Sequence, residues 1–185
     1  VIIFIPLDKH ILGILLGIYF STGKSINKMN IEQLNKNINS SKTISIVGVD
    51  EKGNGVLGFI NVDVKPGSGL VLLNINDALA DYLNQLSART AALVAANYVN
   101  ISLKNLDVVY NIKANASIVE GPSAGAAMAI ATIAALQDNE INPSIYITGG
   151  ISQKGDITSV GGVVEKAKIV ASKNDGSKCL HSCSY

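Results

Sequence analysis

The chain has 185 residues, of which 48% are hydrophobic and 16% are charged, so it can bury a sizeable core and is not disordered. Fifteen basic and 14 acidic side chains leave a formal net charge of +1, and Arg89 is the single arginine. No basic stripe exists to follow a phosphate backbone, and the composition therefore predicts no nucleic-acid partner.

Residues 1–23 are predicted to form a signal peptide or membrane anchor. The apolar run over 11–20 is too short to span a bilayer but has the length of a signal-peptide core. Lys9 precedes the run and small residues follow it. We expect export, or membrane attachment through residues 1–20, with the folded domain outside the cytoplasm; the alternative is a buried core helix.

The next residues, 24–42, are rich in Asn, Ser and Lys and are predicted to be a linker before a folded domain over 43–173. The domain opens with three strand-like stretches separated by short turns. Their close spacing predicts an antiparallel meander over 43–49, 56–64 and 69–75.

A long helix is predicted next, from an N-cap at Asn76 or Asp77 to about Tyr98, with Leu83, Leu86 and Leu93 recurring at helical spacing. The remaining predicted elements are a strand, a helix, a strand, a Gly-rich hairpin and a helix, over 107–113, 122–136, 144–148, 149–162 and 163–172. This order predicts an α+β fold, with helices packed on a layered mixed sheet.

Residues 174–185 are predicted to form an irregular tail, truncated or altered, because they show no strand period and little to bury. Cys179, His181 and Cys183 lie in this tail. Three close ligands without a fourth make a weak zinc site, so no metal is expected.

Ser123 is the candidate nucleophile. Pro122 suits the first position of a helix, which places Ser123 in the first turn, where free backbone N–H groups and the positive end of the helix dipole converge. Such a terminus can hold an oxyanion, and Gly121 and Gly125 allow close approach. Taken alone, however, a serine beside a helix start is usually a cap.

The base for that serine is not a histidine. The chain has two histidines, His10 and His181, and neither is expected to reach residue 123, which argues against a Ser-His-Asp triad. Ala126 stands three places after Ser123, so the Ser-x-x-Lys motif is absent as well. Carboxylates or a lysine remain.

Lys166 is the candidate base. It shares a helix face with Ile169 and Val170, whereas Lys168 lies about 200° around the helix. A lysine is a base near neutral pH only if its pKa falls from about 10.4 toward 7–8, and burial beside apolar groups can cause that fall. The alternative is a solvated lysine with no catalytic role.

Three segments taken together resemble the proteolytic domain of Lon: GPSAG around Ser123, ITGGIS around Thr148, and GGVVEK ending at Lys166. Thr148 and Lys166 follow Ser123 by 25 and 43 residues, which fits the layout of that family. The stretch over 55–171 also resembles the Lon-like serine proteases predicted in archaea, which lack the ATPase module. The implied fold is a Lon proteolytic domain, similar to ribosomal protein S5 domain 2.

The resemblance implies a role for each matching residue. Ser123 is the implied nucleophile, Lys166 the general base and later acid, and Thr148 the residue that orients the lysine amine. Backbone N–H groups around Ser123 and Ala124 are implied to form part of the oxyanion hole. Glu120 occupies the place of an acidic residue to which no chemical role is assigned. No cofactor is expected for this chain, and the resemblance implies assembly as a homo-oligomeric ring.

We therefore expect an ATP-independent serine endopeptidase acting on peptides or unfolded protein chains. One alternative is a catalytically silent Lon-like domain used as a binding or assembly module, which the unusual tail would suit. Another is an enzyme of the same fold that hydrolyses small-molecule amides. Retention of Ser123, Lys166 and Thr148 together favours the enzyme over the silent module.

Overall fold

A six-stranded mixed sheet with helices packed on it forms the centre of the molecule. The computed structural model of the chain describes residues 2–4, 38–75, 79–114, 118–119 and 121–174. The strands are β1 Ile2–Phe4, β2 Ser40–Val49, β3 Gly55–Pro66, β4 Val71–Ile75, β5 Leu79–Ala80, β6 Leu106–Ala114, β7 Ile118–Val119, β8 Tyr146–Thr148, β9 Gly150–Ile151 and β10 Ile157–Thr158. The α-helices are α1 Tyr82–Val99, α2 Gly125–Gln137 and α3 Val163–Asn174, and short 3₁₀ turns span Leu103–Asn105 and Pro122–Ala124. The predicted α+β class is confirmed.

The strand order in the large sheet is β1-β8-β2-β3-β6-β4. β2 and β3 form the predicted antiparallel hairpin, but β4 is not the third strand of a meander: it pairs in parallel with β6, on the edge away from β3. The meander prediction is wrong here because Asp107, near the start of β6, accepts hydrogen bonds from the backbone N–H groups of Ser68 (2.8 Å) and Leu70 (2.9 Å). This contact holds the β3–β4 turn against β6, and the chain enters the sheet on the far side.

The core lies between the sheet and the helices α1 and α2. Alternate residues of β2, β3 and β6 point into it, and Ile44, Ile60 and Tyr110 are completely buried. The two helices meet through alanines, including Ala91 and Ala127, both 0% exposed. Small side chains let the helix backbones approach closely, which explains why the segment following Ser123 is so rich in alanine.

The predicted start of α1 is wrong. The helix begins at Tyr82 with Asp81 as its N-cap, not at residue 76 or 77, because Leu79–Ala80 pair as a parallel strand with Ile118–Val119. Its buried face is the alanine face, and Leu83, Leu86 and Leu93 are 40–58% exposed. Helical spacing of leucines therefore indicated a helix but not which side of it is packed.

The domain starts slightly earlier than predicted, because Ser40–Lys42 already belong to β2. Ile2–Phe4, inside the segment predicted for export or anchoring, pair with β8 as an edge strand. Three predicted segments lie outside the described residues: the apolar run at 11–20, residues 24–37 of the predicted linker, and the tail over 175–185. Among the helices that are described, none is long and apolar enough to cross a membrane.

Candidate active site

Ser123 lies in a tight turn that leads into α2. Pro122–Ala124 form a 3₁₀ turn and the α-helix continues from Gly125, so Ser123 is in the first turn as predicted. Gly121 enters this turn with φ +82°, a conformation that residues with a side chain rarely adopt. A glycine is therefore needed at the position two residues before the candidate nucleophile.

Two backbone hydrogen bonds join this turn to the loop that follows β8. The N–H of Gly149 donates to the carbonyl of Ser123 (2.8 Å), and the N–H of Ala126 donates to the carbonyl of Gly149 (2.9 Å). Because Gly149 directly follows Thr148, these bonds fix the turn that carries Ser123, here named the nucleophile turn for its candidate residue, relative to the strand that carries Thr148.

Lys166 points into the protein from the first turns of α3. It is 3% exposed, and its Nζ donates a hydrogen bond to Oγ1 of Thr148 (3.1 Å), which is itself 0% exposed. The Thr148 hydroxyl is 3.4 Å from the carbonyl oxygen of Ser123, a long contact in which it is the donor. Val170, one turn further along α3, is also buried, whereas Lys168 is exposed, as the helical spacing predicted.

Burial lowers the pKa of Lys166 below its ordinary value of 10.5, because the charged ammonium loses its hydration inside the protein. No carboxylate of the described residues forms an ion pair with this amine to offset the loss. The environment thus favours the neutral amine, whose lone pair can accept a proton.

Ser123 and Lys166 line the same cavity, which has a volume of about 400 Å³. Gly121 and Ala124 also line the cavity, and Thr148 lies behind Lys166. The structure therefore brings together all the candidate site residues that it describes. Glu120 lies outside the described residues.

The rest of the cavity wall is mostly small or aliphatic. It is formed by the last residues of β2, the first residues of β3, Ala114 of β6 and the loop before α3. The further polar side chains in the wall are those of Asn84 and Ser159. None of the described lining residues is Asp or Glu.

Sequence reasoning missed Asn84 and Asp81. Asn84 is 1% exposed and lines the cavity from the first turn of α1, and Asp81 caps that helix. The available signal is Asp81 itself, because Asp is a favoured N-cap residue. The sequence prediction places the N-cap at Asn76 or Asp77 instead, and Asp81 and Asn84 then fall inside the predicted helix.

The described residues contain no group of three or more His, Cys, Asp or Glu side chains that could hold a metal ion. Cys179, His181 and Cys183 lie outside them.

Comparison with known proteins agrees with the resemblance seen in the motifs. Residues 25–180 match the profile of the Lon protease (S16) C-terminal proteolytic domain. The chain is 32% identical over 152 residues to a Lon protease of Roseiflexus castenholzii, covering 74% of this chain and 18% of that protein. It is 29% identical over 141 residues to an archaeal Lon protease of Methanocaldococcus jannaschii, covering 73% and 21%. A Lon protease 2 of Thermus thermophilus is 35% identical over 118 residues, covering 60% and 14%.

The aligned part of the chain thus spans about a fifth or less of the length of these relatives. The match to the domain itself extends from before β2 to beyond α3 and includes every element that contributes to the cavity. The chain belongs to the family of the Lon protease C-terminal proteolytic domain.

Proposed function

We propose that this chain is a serine endopeptidase that hydrolyses peptide bonds with Ser123 as nucleophile and Lys166 as general base. Membership of a protease family supports the reaction class. The observation that carries the residue assignment is the buried Lys166 amine, bonded to Thr148 and lining the same cavity as Ser123.

In the proposed mechanism, neutral Lys166 takes the proton of Ser123 as Oγ attacks the scissile carbonyl carbon. The tetrahedral oxyanion is stabilised by backbone N–H groups of Ser123 and Ala124 at the start of the helix. The lysine ammonium then protonates the leaving amine and the acyl-enzyme forms. Water, deprotonated by Lys166, attacks the ester carbonyl, and collapse of the second intermediate releases the acid and returns the proton to Ser123.

Thr148 orients the base in this mechanism. Its hydroxyl accepts one hydrogen bond from Lys166 Nζ and lies against the carbonyl of Ser123. An amine on a flexible four-carbon chain is thereby kept to one direction, which reduces the entropy that must be lost in each proton transfer.

We infer that the reaction needs no ATP and that the substrates are peptides or unfolded chains. Proton transfer between Ser123, Lys166 and water accounts for every step, so hydrolysis itself requires no nucleotide. A cavity of about 400 Å³ accommodates an extended segment but not a folded protein. Efficient cleavage of a tightly folded substrate by this chain alone, or a requirement for ATP with peptide substrates, would contradict the inference.

The direct test is covalent labelling with a fluorophosphonate, followed by mass spectrometry to locate the adduct. We expect the adduct on Ser123, none in Ser123→Ala, and a rate near background in Lys166→Met, which keeps the length and apolar character of the stem. Lys168→Met is the matched control on the exposed face of the same helix and should label normally. Folded wild-type protein that does not label would instead support a silent binding module.

Export or membrane attachment through residues 1–20 stays a proposal, supported by the apolar run at 11–20. It is tested by fractionation of cells that express the chain and by N-terminal sequencing of the product. A charge inserted into the run, as in Leu15→Arg, should shift the protein from the membrane or exported fraction to the cytoplasm. An unchanged distribution would refute the proposal. Assembly as a homo-oligomeric ring is likewise proposed from the family and is tested by sedimentation velocity.

A further inference from the structure

The carboxylate of Asp81 contacts two separate parts of the backbone. Its Oδ1 accepts a hydrogen bond from the N–H of Asn84 (2.7 Å), which caps α1. Its Oδ2 accepts a second bond, from the N–H of Gly121 (3.3 Å), 40 positions along the chain. One side chain thus joins the beginning of α1 to the beginning of the nucleophile turn.

The position of Gly121 determines where Ser123 points. Gly121 adopts φ +82° at the entrance of the turn, and only Pro122 separates it from the candidate nucleophile. Downstream, the turn is fixed by the bond between the Gly149 N–H and the Ser123 carbonyl. Asp81 supplies the corresponding restraint upstream, so the turn is held on both sides of the serine.

We propose that Asp81 is a positioning residue for the nucleophile, acting through Gly121 rather than by contact with substrate. This inference rests on the proposed function, because its consequence is the orientation of Ser123 toward Lys166. A backbone held at one end only can rotate about the Gly121 dihedrals, and small displacements of a reacting atom lower the rate of attack strongly.

The two bonds of Asp81 can be separated by substitution. Asn and Ser cap helices about as well as Asp. Each of them, however, offers one oxygen where the carboxylate offers two, and the second group of Asn is an NH₂ that cannot accept a bond from an N–H. Asp81→Asn and Asp81→Ser therefore keep the cap at Asn84 and lose the contact with Gly121.

Asp107→Asn is the matched control. Asp107 is also a carboxylate that accepts two backbone N–H bonds, from Ser68 and Leu70, but both bonds go to Oδ1, and Asp107 holds the β3–β4 turn and is not among the residues that line the cavity. The same atomic change is thus made outside the cavity, at a carboxylate whose amide replacement keeps an oxygen for both bonds.

We expect Asp81→Asn and Asp81→Ser to lower the rate of fluorophosphonate labelling of Ser123 about tenfold or more while the Tm stays within about 5 °C of wild type. Amide hydrogen exchange in the peptide that covers residues 121–125 should be faster in both variants. Asp107→Asn should label at the wild-type rate with unchanged exchange over 121–125. For peptide hydrolysis, we expect kcat to fall and KM to stay nearly constant in the Asp81 variants.

Wild-type labelling rates in both Asp81 variants would show that Asp81 is a helix cap only and would overturn the inference. So would unchanged hydrogen exchange over 121–125, which tests the contact whether or not Ser123 reacts. A slower rate in Asp107→Asn, equal to that of the Asp81 variants, would attribute the effect to general loss of stability and would also overturn it. Absence of labelling in the wild type overturns the proposed function separately.

Discussion

Replacement of Thr148 by valine tests whether the threonine hydroxyl is what directs Lys166. The two side chains have nearly the same shape, so the change removes one oxygen from a site that is 0% exposed. The Lys166 amine loses its acceptor at 3.1 Å, and the Ser123 carbonyl loses its long contact with the hydroxyl.

The size of the effect follows from the burial of both groups. A buried donor left without its partner costs about 1–3 kcal/mol, and we expect a loss of unfolding free energy in that range. If the transition state loses an interaction of similar strength, the rate falls about 5- to 150-fold, since about 1.4 kcal/mol corresponds to a factor of ten. The rate of Ser123 labelling by a fluorophosphonate should therefore fall by at least about fivefold.

The matched control is Thr132→Val, because Thr132 is also 0% exposed and hydrogen-bonded, to the Tyr110 hydroxyl (2.7 Å) and to the carbonyl of Met128 (2.7 Å). It is expected to lose a similar stability by urea denaturation and to label at the wild-type rate. A Thr148→Val protein that is folded and labels as fast as wild type would refute the role given to Thr148. Equal slowing in both variants would refute it as well.

Three further substitutions test contacts that hold the fold together. In Gly55→Ala the new Cβ would lie 2.4 Å from the backbone oxygen of Glu165, so β3 and α3 must separate. We expect the free energy of unfolding, measured by denaturation, to fall by about 1–3 kcal/mol and Ser123 to label more slowly. Asp107→Asn is expected to be less stable than wild type at neutral pH. Donation from backbone N–H groups lowers the pKa of the Asp107 carboxyl in the folded protein. The ionised carboxylate therefore stabilises the fold above the unfolded pKa of about 3.9, and this stabilisation is lost as the pH falls through the folded pKa. The difference in unfolding free energy between wild type and Asp107→Asn should accordingly disappear in acid. Tyr146→Phe removes the hydroxyl that accepts a hydrogen bond from Lys173. The free energy of unfolding should fall by less than about 1.5 kcal/mol, and the rate of Ser123 labelling should change little. A large fall in the labelling rate would mean that the Tyr146–Lys173 pair also positions α3.

The sequence predicted which residues come together better than it predicted the path of the chain. Ser123, Thr148 and Lys166 were identified from motifs at set intervals, and their convergence requires only that a helix start, a strand end and a helix face meet. Burial of Lys166 and exposure of Lys168 followed from helical spacing, which places Lys166 on the same face as Ile169 and Val170.

The errors have a common physical origin in contacts between distant residues. The third strand was placed in a meander because local turns predict hairpins, whereas the bonds from Ser68 to Asp107 span 39 positions. The start of α1 was placed too early because the pairing of Leu79 with Ile118 is not visible in the sequence near residue 79. The second hydrogen bond of Asp81 is likewise not visible in the sequence near residue 81, because it comes from Gly121, 40 positions along the chain.

The central claim is that an uncharged Lys166 deprotonates Ser123, and the titration of this one amine tests it most directly. Burial lowers the pKa of Lys166 below 10.5, and only the deprotonated amine can act as the base. We predict that the pKa of Lys166, measured by NMR of the ¹⁵N-labelled side chain and assigned with Lys166→Met, lies below the ordinary lysine value of 10.5. The rate of Ser123 labelling should rise with pH along the same curve. A Lys166 amine that titrates at 10.5 or above, or a labelling rate that does not follow its titration, would contradict the account.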